Sequence, residues 1–197
     1  MGTTYSVTIA SESIDSIYIH SNIDLILNDI NQQMSTYIDT STISMFNALK
    51  TGDSIYIGSD FMFVLNQSVY FNGITSGAFD PTIKPLVELW GFGANGSIIS
   101  IPNDKDISSA INQLGIDKIS IKDNSVIKIN DVNIDFSAIA KGYAVDKISD
   151  FLSNQYLSNH MVEIGGEVRV SGLKENHKLW TIGVQNPGIK ENSTFLA

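Results

Sequence analysis

The chain contains no cysteine and only three histidines among its 197 residues. Without thiols, disulfide bonds, thiol catalysis and cysteine-based metal sites are excluded. The histidines, which are His20, His160 and His177, lie in unrelated segments and lack the spacing of metal ligands. A histidine-based zinc site is therefore disfavoured, and each histidine is predicted to be a surface or packing residue.

Basic residues are also scarce, with 12 Lys and Arg against 21 Asp and Glu and a formal net charge of −9. The sequence has no Lys/Arg cluster, whereas binding to nucleic acids or anionic membranes requires such a basic footprint. Neither is therefore expected as a partner. An anionic ligand of so acidic a chain must be held by local groups.

Long apolar runs are missing as well, since no segment approaches the length of a transmembrane helix. Neither a charged n-region nor a lipobox cysteine is present, so export cannot be inferred from the residues themselves. The 43% of hydrophobic residues suffice for one sizeable core. We therefore expect a single domain over residues 1–197.

Hydrophobic periodicity and turn residues predict a mixed structure. The predicted helices are residues 22–34 after an N-cap at Ser21, residues 61–72 after an N-cap at Asp60, residues 106–114 before Gly115, and a helix from Ser137 to about residue 152. The predicted strands are residues 5–9 in a hairpin with 16–20, then 118–121, 126–129, 132–136, 161–164, 167–170 and 179–185. Because helices and mostly antiparallel strands interleave without regular βαβ repetition, the predicted fold class is α+β.

The most informative segment is residues 134–146, where Asp135, Ser137 and Lys141 fall within seven positions. Ser137 is a candidate N-cap, so the backbone N–H groups after it would be unpaired and would attract an anion. Lys141 would add a point charge for a phosphate, and Asp135, which has a buried character, would hold a ribose, a base edge or a metal-bound water. This layout is typical of a phosphate-handling site, but an ordinary strand, turn and amphipathic helix with a solvated lysine also fits it.

A second informative segment covers residues 76–93, in which a glycine-containing turn leads to Asp80 and Pro81. Asp80 fits an N-cap and Pro81 fits the first position of a helix, and this structural role would by itself explain both. A capping aspartate does not require Ala78 and Phe79 before it, or the Trp-Gly-Phe-Gly string at residues 90–93 after it. The whole segment is therefore a more specific signal than its parts.

Six strings of the chain occur together in a fixed order, and we call them the family strings. They are residues 1–5, residues 34–37 with Ser41 and Asn47 following, residues 77–82, residues 90–93, residues 135–146 and residues 162–167. In order and spacing they resemble the bacterial FAD:protein FMN transferases, the ApbE family, over essentially the whole chain. One glycine motif would be a weak signal, whereas six motifs in register identify the chain as a family member.

The resemblance implies an ApbE-like fold and a Mg²⁺-dependent transfer of FMN from FAD to a threonine of an acceptor flavoprotein, with release of AMP. By the family pattern, catalysis is assigned to Asp80 and Lys141, and the backbone carbonyl of Ala138 binds Mg²⁺. The implied FAD contacts are Met1, Tyr37, Ala78, Phe79, Asp80, Asp135, Lys141, Gly165 and Gly166. The two glycines would let the backbone approach the cofactor closely, although a hairpin turn between two strands explains them equally well.

The resemblance also implies further segments that this sequence does not contain. Family members continue past residues 180–187 through a histidine followed by Asp-Pro-x-Thr-Gly and an Ala-Asp-x-x-x-Thr region that completes the metal site, and neither string occurs here. We therefore expect a C-terminally incomplete domain that binds Mg²⁺–FAD weakly and transfers FMN slowly or not at all. Because family members are usually exported, the implied location is the bacterial cell envelope, either exported or anchored to the inner membrane.

Two alternative functions stay open beside the transferase. An FAD-binding protein or FAD pyrophosphatase would release FMN and AMP with water as the nucleophile. A non-catalytic fragment would only fold or partner another chain. A threonine-containing acceptor distinguishes the first alternative from the transferase, because only the transferase leaves flavin covalently attached to protein.

Overall fold

The computed structural model describes residues 2–11, 13–94, 101–185 and 194–196. Its helices are α1 (Ser16–Met34), α2 (Thr42–Asn47), α3 (Ser59–Ile74), α4 (Lys84–Leu89), α5 (Asp104–Gln113) and α6 (Ala140–Asn154). Its strands are β1 (Tyr5–Ile9), β2 (Ser54–Tyr56), β3 (Ile119–Lys122), β4 (Ser125–Lys128), β5 (His160–Ile164), β6 (Glu167–Ser171), β7 (Gly183–Gln185) and β8 (Thr194–Leu196). Single turns of 3-10 helix occupy Ile116–Lys118 and Glu175–His177.

Antiparallel pairing joins these strands into small sheets. The first sheet has the order β1-β5-β6 and the second has the order β2-β4-β3, while β7 pairs with β8. In the first sheet, Val7 lies opposite Val162, and Ile164 lies opposite Glu167 at the end of the β5–β6 hairpin. Helices combined with antiparallel sheets confirm the predicted α+β class.

Apart from Ala110, the buried apolar side chains of the described residues form one cluster, which includes residues of α1, α6 and the first sheet. From α1 the cluster takes Ile19, Ile23, Leu27, Ile30 and Met34, whose spacing of three or four residues places them on one face of the helix. α6 contacts α1 and both β5 and β6, so it connects the helical layer to the sheet. Among the helices of the described residues, none combines the length and the apolar character that a bilayer crossing demands.

The predicted hairpin between residues 5–9 and 16–20 is wrong. Residues 16–20 form the first turns of α1, and β1 pairs with β5 instead. The helical spacing of buried side chains extends back to Ile19, and the Asp15 carboxylate accepts a hydrogen bond from the Tyr18 N–H at 3.0 Å. Asp15 is therefore the N-cap in place of Ser21, because burial at helical spacing outweighs a short β-branched pattern.

The predicted strand at residues 132–136 is also wrong. Its apolar side chains are buried, as expected for a core strand, yet the segment lies outside the sheets. The Asn47 side chain bonds the backbone of Ile134, and the Asp135 N–H donates to the Pro81 carbonyl oxygen. These backbone groups of residues 134 and 135 are thus hydrogen-bonded to a side chain and to a loop carbonyl, so the segment forms no ladder with a neighbouring strand.

Smaller differences concern the ends of elements. The N-cap of α3 is Gly58, so Asp60 lies in the first turn of the helix and does not cap it. α5 begins earlier than predicted, because the Asn103 side chain caps it by accepting from two backbone N–H groups. Of the predicted strand at residues 179–185, only the part that forms β7 is a strand.

Replacement of Asp15 by alanine should destabilise the protein by about 1 kcal/mol, because the Tyr18 N–H at the start of α1 loses its acceptor. Asp15→Asn keeps an oxygen at the N-cap and should stay close to the wild type. Urea unfolding followed by circular dichroism measures both variants. Equal stability of the alanine and asparagine variants would show that this cap does not stabilise α1.

Candidate functional site

A cavity of about 490 Å³ lies between the end of α1, the loop after it and the start of α6. Its lining consists of Gly2, Ile30, Asn31, Met34, Ser35, Thr36, Tyr37, Ser137, Ala140 and Lys141. Two residues that were predicted to contact a cofactor, Tyr37 and Lys141, thus line the same space. The volume falls in the range of pockets that hold small-molecule ligands.

Lys141 is the second residue of α6, and its ammonium group contacts the β5–β6 hairpin. Its Nζ atom lies 2.8 Å from Glu167 Oε2 and 3.4 Å from the Gly165 carbonyl oxygen. Glu167 Oε2 is a buried atom that makes no aligned hydrogen bond in the part of the chain that the structure describes, so its charge is compensated by the nearby ammonium. The lysine side chain is still 31% exposed and remains accessible from the cavity.

Gly165 and Gly166 form the two-residue turn of the β5–β6 hairpin. Their φ angles are 56° and 99°, a region that glycine adopts without strain. The Gly166 N–H donates to Glu163 Oε1 at 2.6 Å, and a Cβ atom on Gly165 would lie 2.9 Å from Thr3 Cγ2. The hairpin interpretation is therefore confirmed, while close approach of this turn to a cofactor stays a prediction.

Asp135 is not part of the cavity lining and is only 8% exposed, which confirms its predicted burial. Its Oδ1 atom accepts a hydrogen bond from the Ser137 N–H at 2.7 Å, and its own N–H donates to the Pro81 carbonyl oxygen at 2.8 Å. This one residue therefore joins the cavity-lining Ser137 to the loop at residues 80–82.

Ser137 does not cap a helix, contrary to the prediction. α6 begins at Ala140 with Ile139 in the cap position, and no side chain caps it. The Ala140 N–H donates to the Phe136 carbonyl oxygen, whereas the next two N–H groups have no backbone acceptor among the described residues. The positive end of the helix dipole therefore lies later than predicted, at Lys141 itself.

Asp80 stabilises a turn and does not cap a helix. Its Oδ1 atom accepts hydrogen bonds from the Thr82 N–H at 2.8 Å and from the Thr82 hydroxyl at 2.6 Å. α4 starts only at Lys84, so the predicted helix beginning at Pro81 is wrong. Aspartate side chains often bond the backbone two residues later, and this local bond competes with a helix start. The fully buried Thr82 also accepts from the Gly115 N–H at 2.9 Å.

Ala78 and Phe79 lie on the same loop, outside the lining of the cavity. The Phe79 carbonyl oxygen accepts from Asn72 Nδ2 at 2.9 Å, and the Phe79 N–H donates to Thr75 Oγ1 at 3.0 Å. The Phe79 ring lies 6.0 Å from the Phe71 ring, measured between centroids. These contacts fix the loop to the end of α3.

The predicted site residues therefore fall into two groups. Tyr37 and Lys141 line the cavity, with Gly165 beside the lysine, whereas Asp135 and residues 78–82 are not part of its lining. The bonds of Asp135 connect the two groups. The predicted contact of Met1 lies outside the described residues.

Several residues with a clear part in this arrangement were not predicted as site residues. They are Asn47, Thr82, Glu163 and Glu167, which bond or pair with predicted site residues or with their immediate neighbours. All four belong to the family strings, so their position in those strings was the available signal. The residue types alone did not indicate these contacts. Each contact either joins segments that are distant in the sequence or depends on the geometry of a turn, and neither can be read from a local pattern.

A complete metal centre is not formed by the residues that the structure describes. Within them, no group of three or more His, Asp or Glu side chains comes together to hold an ion. Ala138 is exposed, and no described backbone N–H donates to its carbonyl oxygen, so this oxygen is available as one ligand. Mg²⁺ demands near-octahedral coordination by oxygen, usually from carboxylates, phosphates and waters. The described residues do not provide such a set by themselves.

Comparisons with known proteins agree on one family. The model of the ApbE family matches residues 1–197. An FAD:protein FMN transferase of Vibrio cholerae is 36% identical over 196 residues, which are 98% of this chain and 59% of that protein. An FAD:protein FMN transferase of Haemophilus influenzae is also 36% identical, over 95% of this chain and 57% of that protein. The chain thus spans less than two thirds of the length of these curated relatives.

Solved structures show the same similarity. The flavin transferase ApbE from Vibrio cholerae matches with a TM-score of 0.91 and 34% identity, over 100% of this chain and 64% of that chain. The apo form of the flavinyl transferase ApbE from Pseudomonas stutzeri matches with a TM-score of 0.87 and 33% identity, over 93% and 62% of the two chains. These values confirm the predicted ApbE-like fold.

Thr82→Val should destabilise the protein by about 1–3 kcal/mol, because the Gly115 N–H loses its acceptor and Asp80 loses a donor. Thr82→Ser is the matched control, since it keeps the hydroxyl group and should stay closer to the wild type. Chemical unfolding of both variants measures the difference. If the valine variant is as stable as the serine variant, the hydroxyl does not hold this loop.

Proposed function

Because the chain belongs to the ApbE family, we propose that the protein is an FAD:protein FMN transferase. It attaches the FMN part of FAD to a threonine of an acceptor flavoprotein through a phosphoester bond and releases AMP. The names of the similar proteins and the similarity of fold support this proposal.

The observation that carries the proposal is the position of Lys141 in the wall of the cavity of about 490 Å³. Its ammonium lies near the start of α6, where N–H groups without backbone acceptors carry a partial positive charge. A diphosphate bound there would meet two kinds of positive group in a chain whose net charge is −9. Positioned charge of this kind is the main requirement for phosphoryl transfer.

In the proposed reaction, the hydroxyl oxygen of the acceptor threonine attacks the phosphorus on the FMN side of the diphosphate. A P–O bond to the threonine forms, the P–O bond to the AMP oxygen breaks, and the hydroxyl proton is released. Lys141 stabilises the negative charge on the phosphate oxygens. Asp80 is the second residue to which we assign catalysis, from the loop that Asp135 joins to the cavity wall.

We assign the FAD contacts to residues of the family strings. They are Met1, Tyr37, Ala78, Phe79, Asp80, Asp135, Lys141, Gly165 and Gly166. Tyr37 is 68% exposed at the cavity, so its ring is accessible to a flat aromatic ligand. Gly165 lies beside Lys141, which favours an approach of the diphosphate to the hairpin turn.

We include Mg²⁺ in the proposal because sites of phosphoryl transfer commonly use it to neutralise phosphate charge. Among the described residues, the carbonyl oxygen of Ala138 is the ligand that we assign to it. Phosphate oxygens, waters and further protein groups must supply the remaining positions, since the described residues do not form a complete site.

A location in the bacterial cell envelope, either exported or anchored to the inner membrane, is proposed from the family resemblance alone. Fractionation of cells that produce the full-length protein tests it. Recovery in the periplasmic or membrane fraction would support the proposal, and recovery only with cytoplasmic marker proteins would contradict it.

The function is tested by incubation of the full-length protein with FAD, Mg²⁺ and a threonine-containing acceptor. Flavin that stays on the acceptor after denaturing electrophoresis, together with free AMP, would support the transferase. FMN and AMP without bound flavin would instead indicate an FAD pyrophosphatase, and no product would indicate a non-catalytic protein. An acceptor in which valine replaces the threonine is the control and should stay unlabelled.

Lys141→Ala should weaken FAD binding by about 10- to 100-fold, because a charged hydrogen bond to the diphosphate is lost. Lys147→Ala is the matched control, since Lys147 lies on the same helix but pairs with Asp60 at 3.2 Å and does not line the cavity. Titration of flavin fluorescence measures both affinities. Equal affinities for the two variants would place Lys141 outside the FAD site.

A further inference from the structure

Asn47, the last residue of α2, binds the backbone of Ile134 through both ends of its side-chain amide. Its Nδ2 atom donates to the Ile134 carbonyl oxygen at 2.9 Å, and its Oδ1 atom accepts from the Ile134 N–H at 2.8 Å. The two residues are 87 positions apart in the sequence. This pair of bonds matches what a residue of a neighbouring antiparallel strand would provide.

The Asn47 side chain supplies backbone hydrogen bonds that a neighbouring strand would otherwise give to residues 132–136. Val132, Ile134 and Phe136 are at most 1% exposed, yet residues 132–136 lie outside the sheets of the described chain. Buried peptide groups without partners are costly, so a segment of this kind needs donors and acceptors from elsewhere. Asn47 provides one of each.

A buried lysine forms a hydrogen bond with the backbone carbonyl group of Asn47. Lys128 is 2% exposed, and its Nζ atom donates to the Asn47 carbonyl oxygen at 2.8 Å. The same ammonium lies 5.3 Å from the centre of the Phe46 ring, within the range of cation–π attraction. Burial lowers the pKa of Lys128, and the charge of Asp131 partly opposes this shift. The backbone of Asn47 is therefore anchored together with its side chain.

Ile134 directly precedes Asp135, so its position influences the wall of the cavity. The Asp135 N–H donates to the Pro81 carbonyl oxygen, and the Asp135 carboxylate accepts from the Ser137 N–H. A shift of Ile134 would therefore reach both the loop at residues 80–82 and the cavity lining. Asn47 itself does not line the cavity.

We propose that Asn47, anchored by Lys128, is a positioning residue that sets the place of Asp135 and Ser137 in the FAD site. The inference rests on the proposed function, because it takes the cavity as the place where FAD binds. Asn47 acts through the backbone of Ile134 and does not touch the ligand.

The test compares Asn47→Ala with Asn159→Ala in the full-length protein. Asn159 is the matched control, because its Oδ1 atom also accepts from a backbone N–H, that of Leu173 at 2.9 Å, and it does not line the cavity. Asn47→Ala should weaken FAD binding about tenfold or more, as small misplacements of site groups commonly do. Asn159→Ala should bind FAD like the wild type even where it lowers stability.

Amide hydrogen exchange measures the positioning without any ligand. In Asn47→Ala, the Ile134 N–H loses its acceptor and should exchange faster than in the wild type. The Asp135 N–H keeps Pro81 as its acceptor but should also exchange faster, because the proposed role of Asn47 is to hold this segment in place. In Asn159→Ala both N–H groups should keep their protection. If the wild type does not bind FAD, the proposed function fails, and the exchange at these two positions then decides the role of Asn47 independently.

Two further variants serve if Asn47→Ala does not fold. Asn47→Asp keeps the side-chain size and an acceptor for the Ile134 N–H, but it loses the donor and turns a carboxylate oxygen toward the Ile134 carbonyl oxygen, so it should also weaken FAD binding. Lys128→Met keeps most of the side-chain volume but loses the donor, so it should shift FAD affinity and exchange in the same direction. Unchanged affinity and unchanged exchange at Ile134 and Asp135 in the Asn47 variants would overturn the proposal. Equal loss of affinity in Asn159→Ala would overturn it as well.

Discussion

The buried segment of residues 132–136 must satisfy its peptide groups without belonging to a sheet, and the site depends on how it does so. The partners come from the Asn47 side chain, the Pro81 carbonyl and the first turn of α6. Each buried hydrogen bond that is broken on one side costs about 1–3 kcal/mol, so such contacts favour one geometry strongly. Distant parts of the chain are thus brought to the segment that carries Asp135.

The sequence allowed the element types to be predicted where one hydrophobic period persisted over several turns. The α1 residues from Ile23 to Met34 are such a case, whereas residues 16–20 fit a strand as well as a helix because the run is short. The burial of Ile19 against the rest of the core decides for the helix, and that information is tertiary. The pairing of β1 with β5 joins opposite ends of the chain, so no local pattern could predict it.

The candidate site divides in the same way. The place of Lys141 in the cavity lining agrees with its prediction as a site residue, and the hairpin turn was predictable from two consecutive glycines. The burial of Asp135 followed from its apolar neighbours. The apolar residues around Asp135 indicated its burial correctly but could not show which groups would bond the backbone of residues 132–136. Asn47 is an ordinary polar residue in sequence terms, and only its two bonds to Ile134 distinguish it. A residue such as Asn47, which positions a site by hydrogen bonds to the backbone of another residue, therefore cannot be identified from the sequence.

The ion pair between Lys141 and Glu167 determines how the cavity can attract an anion. Lys141 is not a free cation, because its Nζ atom lies 2.8 Å from Glu167 Oε2. The Glu167 carboxylate therefore repels any anion that binds at the lysine. The net contribution of this ion pair to anion binding is the attraction by Lys141 minus the repulsion by Glu167. The N–H groups of Lys141 and Gly142 at the start of α6 have no backbone acceptor among the described residues, so no described carbonyl oxygen competes with an anion for them. Glu167 in turn holds the ammonium beside the hairpin, so less side-chain entropy is lost when an anion binds. Lys141 thus contributes to anion binding through the fixed position of its ammonium group as much as through its charge. The N–H groups at the start of α6 add an attraction for which no described backbone carbonyl oxygen competes.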